Sequence, residues 1–109
     1  MAQTGLEAAV RTEGDATVLE LQGEIDGSAR DALHAAYDAG RSDGPVILDF
    51  TAVGYINSTG IALIVGLLAR ARAESRAVSA RGLSAHYREI FEITRLSDFM
   101  TIIDPGASA

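Results

Sequence analysis

The 109-residue chain contains no cysteine. That excludes a disulfide framework, a thiolate zinc site and a cysteine nucleophile. Aromatic residues are scarce, at 6%, so a core has to be assembled from Ala, Leu, Ile and Val. Long apolar runs are missing too: Ile61 to Ala69 is the most apolar stretch, far short of the roughly 20 residues that cross a bilayer. The N-terminus shows no basic segment followed by an apolar run, so no secretory signal is expected. Basic charge is also in short supply. With a formal net charge of −6 and scattered arginines, no basic stripe exists to gather nucleic acid. The expectation is a cytoplasmic protein that neither binds nucleic acid nor inserts directly into membrane. Its acidity is explained by solubility before a basic partner has to be invoked.

What is present is a strong apolar fraction, 48% of the chain, which argues against disorder as the main state. The length suits one domain, residues 1–109, with a core over 5–104 and a frayed tail over 105–109. Leu6 to Arg11 and Thr17 to Gln22 read as strands around the turn Glu13-Gly14-Asp15, a hairpin pattern. The period then changes. Ala29, Leu33, Ala36 and Tyr37 recur at helical spacing, Asp26 or Ser28 can cap the start, and Gly40 ends the helix. Val46 to Phe50 is a near-continuous apolar run, as expected of a central strand covered on both faces. A further strand is expected around Ala77 to Ala80. An amphipathic helix follows, capped by Ser84, with Tyr87, Ile90, Phe91, Ile93 and Thr94 towards the core. Phe99 to Ile103 reads as a last short strand. Strands alternating with helices indicate α/β units with parallel neighbours behind an opening hairpin.

The segment from Tyr55 to Ala71 poses the functional question. Asn57-Ser58-Thr59 stands directly before a helix with almost no polarity. At 100° per residue, Ile61, Ile64, Val65 and Leu68 share one face, suited to docking on a sheet. Leu63 and Leu67 fall elsewhere, with Ala62 and Gly66 between them and the direction of Ser58. A second helix covering Leu63 and Leu67 is one account; a flat docking surface for a partner is the other. Ser58 or Thr59 can serve as an N-cap. A phosphate there is also tolerated, because helix N-termini attract anions, and it would place about −1.5 to −2 charges beside the small-residue surface. Folding would survive and an interface would fail.

Catalysis has little to stand on. His34 and His86 lie on predicted helices, where solvated surface positions are expected, and no Gly-x-Ser-x-Gly elbow or nucleotide-binding fingerprint is present. No metal or cofactor is expected.

At "ILDFTAVGYINSTGIALIVG" the sequence resembles the hallmark stretch of STAS domains, the anti-sigma factor antagonists, in which a strand and an Asp-Ser-Ser-Gly-like motif lead into a helix. "GEID", Gly23 to Asp26, is similar to the family's early Gly-Glu-Leu-Asp element, and "EIFEITRLSDFMTIID" to its C-terminal segment. The resemblance implies a mixed sheet of four to five strands with helices mainly on one side. It further implies an antagonist that binds an anti-sigma factor of the histidine-kinase-like ATPase type, which is also a serine kinase. Phosphorylation of Ser58 would release that partner and a serine phosphatase would reset the switch. Ser58 is then the acceptor and Thr59 a less favoured second. Gly60, Ala62, Leu63, Gly66 and Leu67 belong to the docking surface with Asn57 and Thr59, and the loop of Asp26 and Ser28 approaches it. The free chain is expected to be a monomer. Two departures stand out. Asn57 replaces an aspartate common in the family, and Arg95 stands where a helix-ending glycine is frequent. The first keeps open a STAS subunit without the switch, in a stressosome-type scaffold or beside a lipid or anion transporter.

Overall fold

Gly14, at φ +60°, makes the turn that returns β1 (Leu6–Glu13) onto β2 (Ala16–Ile25) as an antiparallel hairpin. The computed structural model describes residues 5–103; the tail expected over 105–109 lies outside them. After β2 come a single 3₁₀ turn (Gly27–Ala29), α1 (Arg30–Ala39), β3 (Val46–Ile56), α2 (Ser58–Ala73), β4 (Val78–Arg81), α3 (Ala85–Ile93), a second 3₁₀ turn (Leu96–Asp98) and β5 (Thr101–Ile103). The sheet runs β1-β2-β3-β4-β5, and every pairing after the hairpin is parallel. This is the mixed α/β sheet expected of the chain, with helices mainly on one side. β3 extends six residues beyond the apolar run that marked it, because its second half continues along β2 as far as the Ile25–Ile56 register.

The helical side carries the core. Leu19, Leu21 and Ile25 of β2 and Leu48 and Phe50 of β3 pack against Leu33, Ile64, Leu67, Leu68 and Phe91. Phe50 and Phe91 meet edge to face at 5.7 Å, the favoured geometry for two aromatic quadrupoles. α1 and α2 are clasped at one end. The buried Tyr37 lies between the guanidinium groups of Arg70 and Arg76, and its hydroxyl donates to Glu74 at 2.6 Å. Burial, then that bond to Glu74, pushes the Tyr37 hydroxyl above its ordinary value. Arg76 is itself buried and donates to the carbonyls of Gly44 and Asp43.

The opposite face has ion pairs instead of a helix layer. Arg11 pairs with Glu13 (2.7 Å) and Glu20 (2.6 Å), and Arg81 with Glu13 (3.2 Å) and Asp49 (3.4 Å). Val18 is the register partner of Arg11 and Ile47 and is fully buried. Its cover comes from the long side chains around it. Bonds from Arg81 and then Arg11 hold the Glu13 carboxyl below its ordinary value. Burial pushes Asp49 upward, but its bonds with Thr51 and Arg81 outweigh this and leave it lowered.

Several expectations need correcting. Leu67 is in the core, 2% exposed, while Val65 is 46% exposed. The docked face of α2 is Gly60, Ile64, Leu67, Leu68 and Ala71, so the helix is rotated from the orientation its apolar spacing suggested. Leu63 is half-buried against the core. Ile93 is 74% exposed at the end of α3, because Thr94 and the left-handed Arg95 (φ +67°) turn the chain away there. Phe99 precedes β5 and is outside it. His86 is exposed, but His34 is half-buried, its Nδ1 3.1 Å from Arg70.

Two outcomes follow. Leu67→Glu should cost several kcal/mol, about 3 or more, as a charge forced into a packed core, whereas Val65→Glu should stay within about 0.5 to 1 kcal/mol; urea unfolding of the two variants measures the difference. Glu13 and Asp49 titrate lower folded than unfolded. The stability they contribute is therefore present above the ordinary carboxylate range, about pH 4, and lost as pH falls through their folded values. Arg81→Gln should flatten the fall in Tm across that acid range.

Candidate functional site

The site is the junction where β3 gives way to α2. Ile56 ends the strand and donates its N–H to the Tyr87 hydroxyl at 2.9 Å, which ties the junction to α3. The Asn57 N–H donates to the Ile25 carbonyl at 3.2 Å. Asn57 is extended (φ −93°, ψ −179°), and its side-chain Oδ1 accepts from the Gly60 N–H at 2.7 Å. Asparagine is thus the N-cap of α2, a role in which it ranks with aspartate and serine. Gly60 is required for a separate reason. A Cβ at this position would lie 1.9 Å from the Ile25 carbonyl oxygen, so only glycine lets the first turn seat against β2.

With the cap supplied by Asn57, neither Ser58 nor Thr59 fills that role. Both side chains are exposed, and neither hydroxyl has a hydrogen-bond partner among the described residues. The first turn presents them at the positive end of a 16-residue helix. Beside them stands the turn after β2. Asp26 accepts from the Ser28 N–H at 2.9 Å and from the Ser28 hydroxyl at 2.6 Å. These bonds, the hydroxyl's first, hold the Asp26 carboxyl below its ordinary value. A Cβ on Gly27 would sit 3.4 Å from the Thr59 methyl, so this turn lies directly against the head of α2.

The residues picked out from the sequence therefore separate into two groups. Ser58, Thr59, Ala62 and Gly66 are exposed and lie along one side of α2 from its N-terminus, with Asp26 and Ser28 on the adjoining turn. Asn57 and Gly60 are architectural, Leu63 is half-buried, and Leu67 has no exposed surface to offer. Val65 and Ala69, exposed on the same helix, were missed. A helix apolar around nearly its whole circumference gives no periodic signal to find them. Among the described residues no cluster of His, Cys, Asp and Glu is arranged to hold a metal, and no helix is long and apolar enough to cross a membrane.

The family model described as "Mlab, STAS domain" matches residues 8–103. The chain belongs to the STAS domain family. Its fold is similar to that of SpoIIAA, the Bacillus anti-sigma factor antagonist, in its unphosphorylated form: TM-score 0.66, 17% identity, covering 89% of this chain and 87% of that one. An anti-sigma factor antagonist from Mycobacterium paratuberculosis matches with TM-score 0.67 at 20% identity, over 89% and 84% of the two chains. A putative one from Thermotoga maritima reaches 0.74 at 15% identity, over 89% and 86%. A search of curated proteins gave no match. At these identities the structural likeness shows a shared fold, and the STAS domain's partners have to be argued from its own surface.

Removing the cap is the direct test of the junction. Asn57→Ala should cost about 1 kcal/mol. Gly60→Ala should cost more, since the added methyl meets backbone that cannot swing aside. Chemical denaturation of both variants gives the order, and a milder Gly60→Ala would show that α2 is not seated on Ile25 as described.

Proposed function

We propose that this STAS domain is an anti-sigma factor antagonist that works by partner switching, with Ser58 as the phosphoacceptor. One observation carries the reading: the Ser58 hydroxyl is exposed at the head of α2 and has no structural task, because Asn57 performs the capping. A phosphoryl group added there breaks no hydrogen bond among the described residues and meets the positive end of the helix dipole. The fold tolerates it while the adjoining strip of Thr59, Ala62 and Gly66 acquires a dianion at its edge. In this reading the partner is an anti-sigma factor and serine kinase of the histidine-kinase-like ATPase type. It is bound by the unphosphorylated form and released by the modified one, and a serine phosphatase restores binding. The turn of Asp26 and Ser28 completes the contact surface. The domain needs no cofactor, catalyses nothing itself, is monomeric when free and acts in the cytoplasm.

A second reading, a STAS subunit of a scaffold or a transporter with no switch, is favoured by two observations. Asn57 stands in place of the family's aspartate, and the matching family description names Mlab. Incubation with ATP and the histidine-kinase-like ATPases of the same genome, followed by mass spectrometry of the peptide bearing residue 58, separates the two. The switch requires the label on Ser58; label on Thr59, or none with any kinase, favours the second reading. Ser58→Ala should bind the kinase without being released by it. Ser58→Asp should bind weakly with Tm changed by only a few degrees, as expected of an exposed substitution.

Asn57 adds a finer test. Asparagine and aspartate cap equally well, so Asn57→Asp should leave the unmodified domain nearly unchanged. Beside phospho-Ser58 the new carboxylate adds repulsion of about 1 kcal/mol at 4 Å in water. The Tm of the phosphorylated form should therefore fall further, with the gap closing at high salt. Equal shifts in both forms would mean that residue 57 does not sense the phosphate.

A further inference from the structure

On the side of α2 facing the end of α3 lies an apolar groove of about 230 Å³. Leu68 and Leu96, both nearly inaccessible, form its floor, and Val65, Ala69, Thr94 and Phe99 its walls. The volume falls below the roughly 300 Å³ at which sites for drug-sized ligands begin, so it suits one or two apolar side chains. The chain has three phenylalanines. Phe50 and Phe91 are buried against each other, while Phe99 stands 53% exposed at the groove.

The rim is cationic. Arg72 holds its guanidinium 5.5 Å over the Phe99 ring and has no carboxylate partner among the described residues. Arg11, Arg41, Arg70, Arg81, Arg88 and Arg95 all pair with acids, and the buried Arg76 is satisfied by carbonyls. Only Arg30 shares the condition of Arg72. Asp98, in the adjoining cleft, is engaged by Arg95 at 3.4 Å. In a protein of net charge −6, an arginine with no carboxylate partner among the described residues, set beside an apolar groove, is complementary to an apolar group followed by an acid.

We propose that this groove is a docking site for an amphipathic helix of a partner protein. One large apolar side chain of that helix fills the space between Val65 and Phe99, and a carboxylate one turn away pairs with Arg72. Ala69 projects little, so the partner helix can lie close to α2 at that point. Neither Ser58 nor any other residue of the first turn of α2 lines the groove, so it is compatible with either reading of the domain's function.

A phage-displayed library of helical peptides selected on the whole chain provides the probe, with fluorescence anisotropy to measure each selected peptide. Selected sequences should carry a Leu, Phe or Met three or four positions from a Glu or Asp. Arg72→Glu and Phe99→Ser should each weaken binding about tenfold or more, and exchanging the peptide's acid for arginine should restore affinity for Arg72→Glu. Val65→Glu, which also blocks the groove, replaces Phe99→Ser should that variant not fold. Ser58→Asp should leave peptide affinity within about twofold, so loss of the groove and loss of the switch give different patterns. Peptides lacking the acid, or binding that ignores both Arg72→Glu and Phe99→Ser, would overturn the proposal. So would a dimer of the chain alone in sedimentation that Phe99→Ser dissolves, since a second copy would then be the occupant.

Discussion

The carbonyl of Ile25 governs the arrangement of everything around Ser58. It accepts the Asn57 N–H, and Gly60 packs so closely against it that no side chain fits at that position. Two points of α2 are thereby fixed to the end of β2 within its first turn, and the helix has no freedom left to roll. The roll decides which residues become core and which become surface. With Gly60 turned inward, Ile64, Leu67, Leu68 and Ala71 follow at helical spacing, and Ser58, Ala62, Val65 and Gly66 necessarily face outward. An apolar helix of this kind has no strong preference of its own, so a single close backbone contact sets the outcome.

The clasp at the other end of α2 keeps that setting. Tyr37, Arg70, Glu74 and Arg76 bind α1 to the last turns of α2, while the turn after β2 meets its first. Since α1 begins directly after that turn, the Asp26–Ser28 segment and the Ser58 segment are held in fixed relation. The site joins the first turns of α2 to the turn after β2, and its geometry is set by rigid elements at both ends.

Strand and helix order was legible in the sequence, because turn residues such as Gly14 and Gly40 and the changes of period act locally. The hallmark segment also located the junction. What escaped was rotation and exposure. Periodicity places Leu67 and Val65 only when one side of a helix is polar, and in α2 arginines appear only near the C-terminal end. The cap was misassigned for a related reason. Asn57, Ser58 and Thr59 are all competent N-caps by composition, and only the tertiary contact at Ile25 selects Asn57 by fixing where the helix begins. Arg95, placed by the resemblance at a position expected to hold a helix-ending glycine, has a left-handed backbone (φ +67°), the conformation glycine adopts at least cost.

The ion-paired face of the sheet has a consequence for assembly. A second sheet laid against it would strip water from Arg11, Glu13, Glu20, Asp49 and Arg81 together, and their mutual attraction does not fully offset such a desolvation. That side is therefore inert towards stacking. The apolar groove and the exposed side of α2 both lie on the helical side of the sheet, which gives the molecule a front and a back. Particles with one sticky hemisphere close into pairs or cap the end of something larger. They do not propagate into filaments by stacking sheet on sheet.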